Sequence, residues 1–114
     1  MTYFTITKFT IIIIFVVSCK HKAVVPPEPE ISFVSQVQPV IVNNCAQSNC
    51  HDGSSQRFSL TNYTNITNNL LPGNANSSNI YSVIKNRSMP PSHPLTDEQA
   101  KLVYIWIMQG AKNN

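Results

Sequence analysis

The chain has 114 residues, enough for one small domain. Eight Lys and Arg against five Asp and Glu leave a mild net charge of +3, part of it near the N-terminus. No basic patch with interleaved aromatics occurs, which argues against a nucleic-acid partner.

Lys8 is followed by the apolar run "FTIIIIFVV" (9–17). The run is too short to span a bilayer comfortably and suits the h-region of a secretory signal. It ends in "VVSC" (16–19), which resembles the lipobox of bacterial lipoproteins. That resemblance implies removal of residues 1–18 and acylation of Cys19, which becomes the new N-terminus. The alternative is an ordinary signal or membrane anchor with an incidental cysteine. Several acyl chains would hold the protein firmly to a membrane surface. The resemblance therefore implies a cell-envelope location facing the periplasm or the cell surface. Lys20, in place of an aspartate, points to the outer membrane by the lipoprotein sorting rule. Residues 19–30 form a tether, because Pro26, Pro27 and Pro29 resist helix and favour extended geometry. His21 is a solvated residue of that tether.

The folded part is residues 31–114. Its core is thin, and domains of this size often need a cross-link, a metal or a cofactor. In "ISFVSQVQPVIVNN" (31–44), Phe33, Val37, Val40 and Ile41 fall at helical spacing, with Ser32 or Ser35 as cap. Pro39 interrupts the pattern unless it lies in a first turn. A short helix is expected to lead directly into Cys45. A second short helix near 62–70 would place Leu60, Tyr63, Ile66 and Leu70 on one side. "LPGN" (71–74) is a turn by its Pro-Gly pair. "SSNIYSVIKN" (77–86) reads as a helix capped by Ser77 or Ser78, with Ile80, Tyr81 and Ile84 on its apolar face. "RSMPPSHP" (87–94) is a proline-stiffened loop. "LTDEQAKLVYIWIMQGAKNN" (95–114) is the clearest helix. Thr96 and Gln99 form a capping box, Leu95 is a staple beside it, and Asp97 and Glu98 suit the positive helix start. Ala100, Val103, Trp106 and Ile107 face inward, and Gly110 is the stop. The expected class is all-α with long loops.

The chemistry centres on "NNCAQSNCHDG" (43–53). Two thiols followed directly by an imidazole resemble the C-x-x-C-H attachment site of a c-type haem. Here four residues, not two, separate the cysteines. On a straight helix, Cys45 and Cys50 would point about 140° apart. "CAQSNC" must therefore loop outward for both sulfurs to meet one haem, and Gln47, Ser48 and Asn49 tolerate such a turn. By itself the stretch fits three readings: a haem site, a Cys45–Cys50 disulfide with His51 incidental, or part of a zinc site completed by His93 or Asp52.

The strap "SMPPSHPLT" bears on the choice. Methionine is a soft, weak ligand suited to haem iron opposite histidine. Pro90 and Pro91 stiffen the chain that carries Met89. The competing reading is a methionine packed on the core. His93 is the rival distal ligand, but a surface role is preferred for it. Met108 belongs to the core, and Trp106 and Tyr81 to the core or to packing on a haem.

Taken in order, "VQPVIVNNC", "CH", "LPGN", "SSNIYSVI", "MPP" and "LTDEQAKLVYIWIMQGA" resemble the small monohaem cytochrome c domains of bacterial lipoproteins, akin to the planctomycete-type cytochrome c family. The resemblance covers about 31–112. It implies a small cytochrome c-like fold of three to four short helices around one covalent haem c and its iron. It assigns Cys45 and Cys50 to the haem vinyl groups, His51 to the proximal iron position and Met89 to the distal one. The implied activity is electron transfer at a membrane surface to a redox partner protein that the sequence does not identify. With both axial positions filled there is no open site for substrate, so an electron carrier is expected, not an enzyme. Two alternatives stand beside it: a disulfide-closed exported lipoprotein serving as a structural or binding module, and a haem-based sensor or accessory domain with a displaceable Met89.

Overall fold

Four short α-helices joined by long loops carry the fold, with no strand among the described residues. The computed structural model describes residues 25 and 27–114; the expectations for residues 1–18, Cys19 and His21 lie outside them. The all-α class follows directly from this architecture.

The first helix is not uniform. Phe33–Val37 form a π-turn, and α1 continues it as Gln38–Cys45. Ser32 caps the start by accepting from the Ser35 amide. Pro39 falls at the beginning of α1, where its missing N–H costs little. Pro39 therefore does not end the helix; a wider turn precedes it. Phe33, Val37, Ile41 and Cys45 are all buried, every fourth residue along this segment. The core-facing stripe thus ends on the sulfur of Cys45.

Helix α2 is shorter than its apolar pattern suggests, covering Tyr63–Thr67 with Asn62 as N-cap. Leu60 and Leu70 are buried from the flanking loop instead of from the helix. The "LPGN" turn closes with Asn74 N donating to Leu71 O at 2.9 Å, and Gly73 has a φ of +79°, which suits a residue without Cβ. A 3-10 turn, Ala75–Ser77, leads into α3, Asn79–Lys85. Ser78 occupies the N-cap position of α3 but makes no side-chain cap. Its buried hydroxyl donates to Asn74 O (2.8 Å) and accepts from Leu71 N (2.8 Å), bracing the turn.

Helix α4 spans Asp97–Met108. Both halves of the Thr96–Gln99 capping box form. The helix closes as a Schellman motif: Ala111 N donates to Trp106 O (2.9 Å) and Gly110 N to Ile107 O (3.0 Å), with Gly110 at φ +103°. Val103, Trp106 and Ile107 are at most 1% exposed, whereas Ala100 is only half-buried.

The core joins the two ends of the domain. Phe33 stacks on Trp106 (5.3 Å between centroids) and meets Tyr63 edge-on (5.1 Å). Trp106 Nε1 donates to Lys112 O (2.9 Å), and the Tyr63 hydroxyl donates to Ala111 O (2.8 Å). Ile31 N donates to Gln109 Oε1 (2.9 Å), Gln109 Nε2 donates to Pro29 O (3.2 Å), and Lys112 pairs with Glu30. The last residues of the expected tether, Pro29 and Glu30, are therefore docked on the end of α4. Met108 packs against this core, its sulfur accepting from Ala75 N (3.4 Å). No helix among the described residues is long and apolar enough to cross a membrane.

Candidate functional site

Four of the residues singled out in the cysteine stretch and the strap line one cavity of about 330 Å³. Cys45, Cys50, His51 and Met89 are all on its wall. The volume lies within the range of small-molecule and cofactor sites. Leu60, Ile80, Val83 and Ile84 supply its apolar floor. Ile80, Val83 and Ile84 share a face of α3, three and four residues apart.

The widened loop is built by leaving the helix at Cys45. α1 ends there, and the chain turns outward through residues 46–49. Asn49 takes a left-handed conformation, φ 63°, which asparagine tolerates. Cys50 N donates to Gln47 O (2.9 Å), and His51 N returns to Cys45 O (3.1 Å). The return bond closes the loop at its base. It brings Cys50 and His51 back to the side of the helix that carries Cys45, so the angular mismatch of a straight helix does not arise. Further bonds brace the loop from outside: Ser55 Oγ donates to Cys50 O (2.7 Å), and Arg57 Nη1 to Asn49 O (2.8 Å). Asp52 acts locally. It accepts from the Ser54 amide and hydroxyl, and these bonds hold its carboxyl below the usual value.

The two cysteines differ in setting. Neither is in a disulfide; Cys45 is buried and Cys50 half-buried. Burial, reinforced by the neighbouring Cys50, pushes the Cys45 thiol up to about 11.

His51 is held by the strand of chain that follows it. Its Nδ1–H donates to Phe58 O at 2.8 Å, and Leu60 N donates to His51 O at 2.8 Å. Fixing Nδ1 on a backbone carbonyl selects the tautomer whose Nε2 carries the free lone pair. The Phe58 ring lies 4.6 Å from the imidazole centroid and is 56% exposed.

Met89 is positioned by the end of α3. Arg87 N donates to Ile84 O and Ser88 N to Val83 O (3.1 Å each), a second Schellman closure with Arg87 at φ 60°. Met89 N also donates to Val83 O (3.2 Å). Pro90 and Pro91 continue the strap along the cavity wall, and Met89 remains 40% exposed. His93 is exposed and does not line the cavity. Tyr81 does not line it either; half-buried, it packs on Tyr104 at 5.3 Å.

These donor types could hold an apolar group that carries a metal. Two thiols and one imidazole nitrogen come from one loop, a thioether comes from a strap, and the remaining wall is largely hydrocarbon. Among the described residues no three His, Cys, Asp or Glu side chains are gathered as a metal site, which a zinc centre would require.

Phe58 and Arg57 were not singled out in the sequence. Their signal is weak: a hydrophobic residue seven positions after a candidate ligand gives no hint that its carbonyl holds the imidazole. No family model matches the chain, and no curated protein or solved structure matches it either.

Proposed function

We propose that the protein is an electron carrier with one covalently attached haem c in this cavity, lipid-anchored through Cys19. The observation that carries the reading is the convergence of Cys45, Cys50, His51 and Met89 on a single apolar cavity, although 39 positions (89 − 50) separate Met89 from Cys50. A small cytochrome c-like fold is the corresponding reading of the four-helix architecture.

In this reading, Cys45 and Cys50 would hold the haem covalently through thioether bonds to its vinyl groups. His51, oriented by the Phe58 carbonyl, would offer Nε2 to the iron. Met89, held by the Val83 carbonyl and the proline strap, would offer its sulfur. Leu60, Ile80, Val83 and Ile84 would line the haem with hydrocarbon, and such a lining helps to set the potential. When bound, the haem supplies one-electron chemistry between ferrous and ferric iron.

The test is a haem-peroxidase stain on a denaturing gel, after expression of the full chain with cytochrome c maturation proteins. Covalent haem survives denaturation, so a stained band at the mass of the chain plus one haem is expected. An unstained band with Cys45 and Cys50 joined to each other would favour the disulfide-closed module and end the haem reading.

A further inference from the structure

The chain after His51 is folded back on it by bonds that do not involve the Phe58 side chain. Leu60 N donates to His51 O (2.8 Å), Ser55 Oγ to Cys50 O (2.7 Å) and Arg57 Nη1 to Asn49 O (2.8 Å). Phe58 and Leu60 both line the cavity. Leu60 is buried, whereas Phe58 is 56% exposed and lays its ring on the imidazole, 4.6 Å between centroids and tilted by 41°. The other ring pairs given by the described residues, Phe33 with Tyr63 and Trp106, and Tyr81 with Tyr104, pack the helices. The Phe58 pair involves a candidate ligand. A carbonyl accepts over a broad range of directions, so the Nδ1–H bond to Phe58 O holds one corner of the imidazole and leaves its tilt soft. A ring resting on the imidazole restricts that tilt.

We propose that the Phe58 side chain is a positioning residue for His51, setting the plane in which the imidazole presents Nε2 to the cavity. The inference rests on the haem reading above and deepens it. The main chain at Phe58 selects the tautomer, and the side chain sets the tilt. Substitution separates the two, because every residue at position 58 keeps a carbonyl and only an aromatic one keeps the ring contact.

The experiment uses the oxidised, haem-loaded full chain as wild type, Phe58→Ala and Phe58→Tyr. The direction of an axial imidazole plane governs how unpaired electron density is shared among the four pyrrole rings. Proton NMR reads that sharing as the order and spread of the four haem-methyl shifts. Phe58→Ala should change this pattern while the methionine–iron band stays, because Met89 is held separately by the Val83 carbonyl. Phe58→Tyr should keep the wild-type pattern. An unmoved pattern in Phe58→Ala, even with lowered stability, would show a merely packing role and overturn the proposal. So would a Phe58→Tyr pattern displaced as far as that of Phe58→Ala. Loss of the methionine–iron band in Phe58→Ala would show a general loosening of the cavity, which also overturns it. A wild-type chain that takes up no covalent haem removes the haem reading itself, and the peroxidase stain on the same sample separates that failure from failure at Phe58 alone.

Discussion

His51 and Phe58 are joined twice: the imidazole Nδ1–H donates to the Phe58 carbonyl at 2.8 Å, and the two rings lie 4.6 Å apart. The bond is to main chain, so it does not depend on the identity of residue 58. It turns Nε2 into the ring nitrogen available to a metal. The same stretch of chain pairs Leu60 N with His51 O, so the imidazole is oriented from both its side chain and its backbone.

Substitution of Met89 tests the distal position. Met89→Ala in the haem-loaded protein should remove the methionine–iron charge-transfer band of the oxidised form and let carbon monoxide bind the reduced form. His93→Ala should leave both unchanged, because His93 is off the cavity wall. The reverse pattern in the visible spectrum would transfer the distal role to His93.

Single cysteine variants test the two attachment points. Cys45→Ser and Cys50→Ser should each retain one thioether, seen as chain plus haem by intact mass. Each should also move the reduced α-band to longer wavelength, because an unreacted vinyl group stays conjugated. A Cys45→Ser protein with the wild-type band position would show that Cys45 makes no thioether.

In the chain carrying free thiols, the buried Cys45 makes stability pH-dependent. Its folded-state value, about 11, lies above its ordinary 9.0. The folded thiol therefore keeps its proton where the unfolded one has lost it. The stabilising contribution is full below about pH 9 and is lost as the pH rises toward 11. Two pKa units correspond to about 3 kcal/mol at most. Urea unfolding at pH 8 and 10.5 should show this decline, and Cys45→Ala should reduce it. At pH 8, half-buried Cys50 should alkylate before Cys45.

Helix α4 holds the domain together, and its two ends test different forces. Thr96→Ala removes the capping-box acceptor and should cost about 1 kcal/mol. Trp106→Ala deletes a ring that is 1% exposed and stacks on Phe33, and should cost about 3–5 kcal/mol. Denaturant titration of the haem-loaded protein measures both; equal effects would contradict a core centred on Trp106.

Cys19→Ala tests the anchor. If Cys19 carries the proposed acyl chains, membrane fractionation should find the variant in the soluble fraction, since those chains would supply the binding energy. Retention with membranes would instead indicate an uncleaved apolar segment.

Much of the fold was legible in the chain. The Thr96–Gln99 box, the Gly110 stop and the Val103–Trp106–Ile107 face are local features, set by capping chemistry and a 3.6-residue period. Expectations slipped where a side chain had a competing partner. Ser78 is spent on the "LPGN" turn and not on capping α3. Helix α2 stops at Thr67 although Leu70 continues its apolar pattern, because Leu70 is buried from the loop.

By itself the sequence determined the chemistry on offer: two thiols, an imidazole and a thioether on a proline strap, in an all-α frame. Tertiary structure alone decided which of these meet. The His51–Cys45 return bond folds the widened loop back beside α1, and the Arg87 left-handed turn at the end of α3 sends Met89, not His93, to the cavity. Both are contacts between backbone groups, whose N–H and C=O are the same in every residue apart from proline. Side-chain identity therefore carries little trace of where those bonds will form.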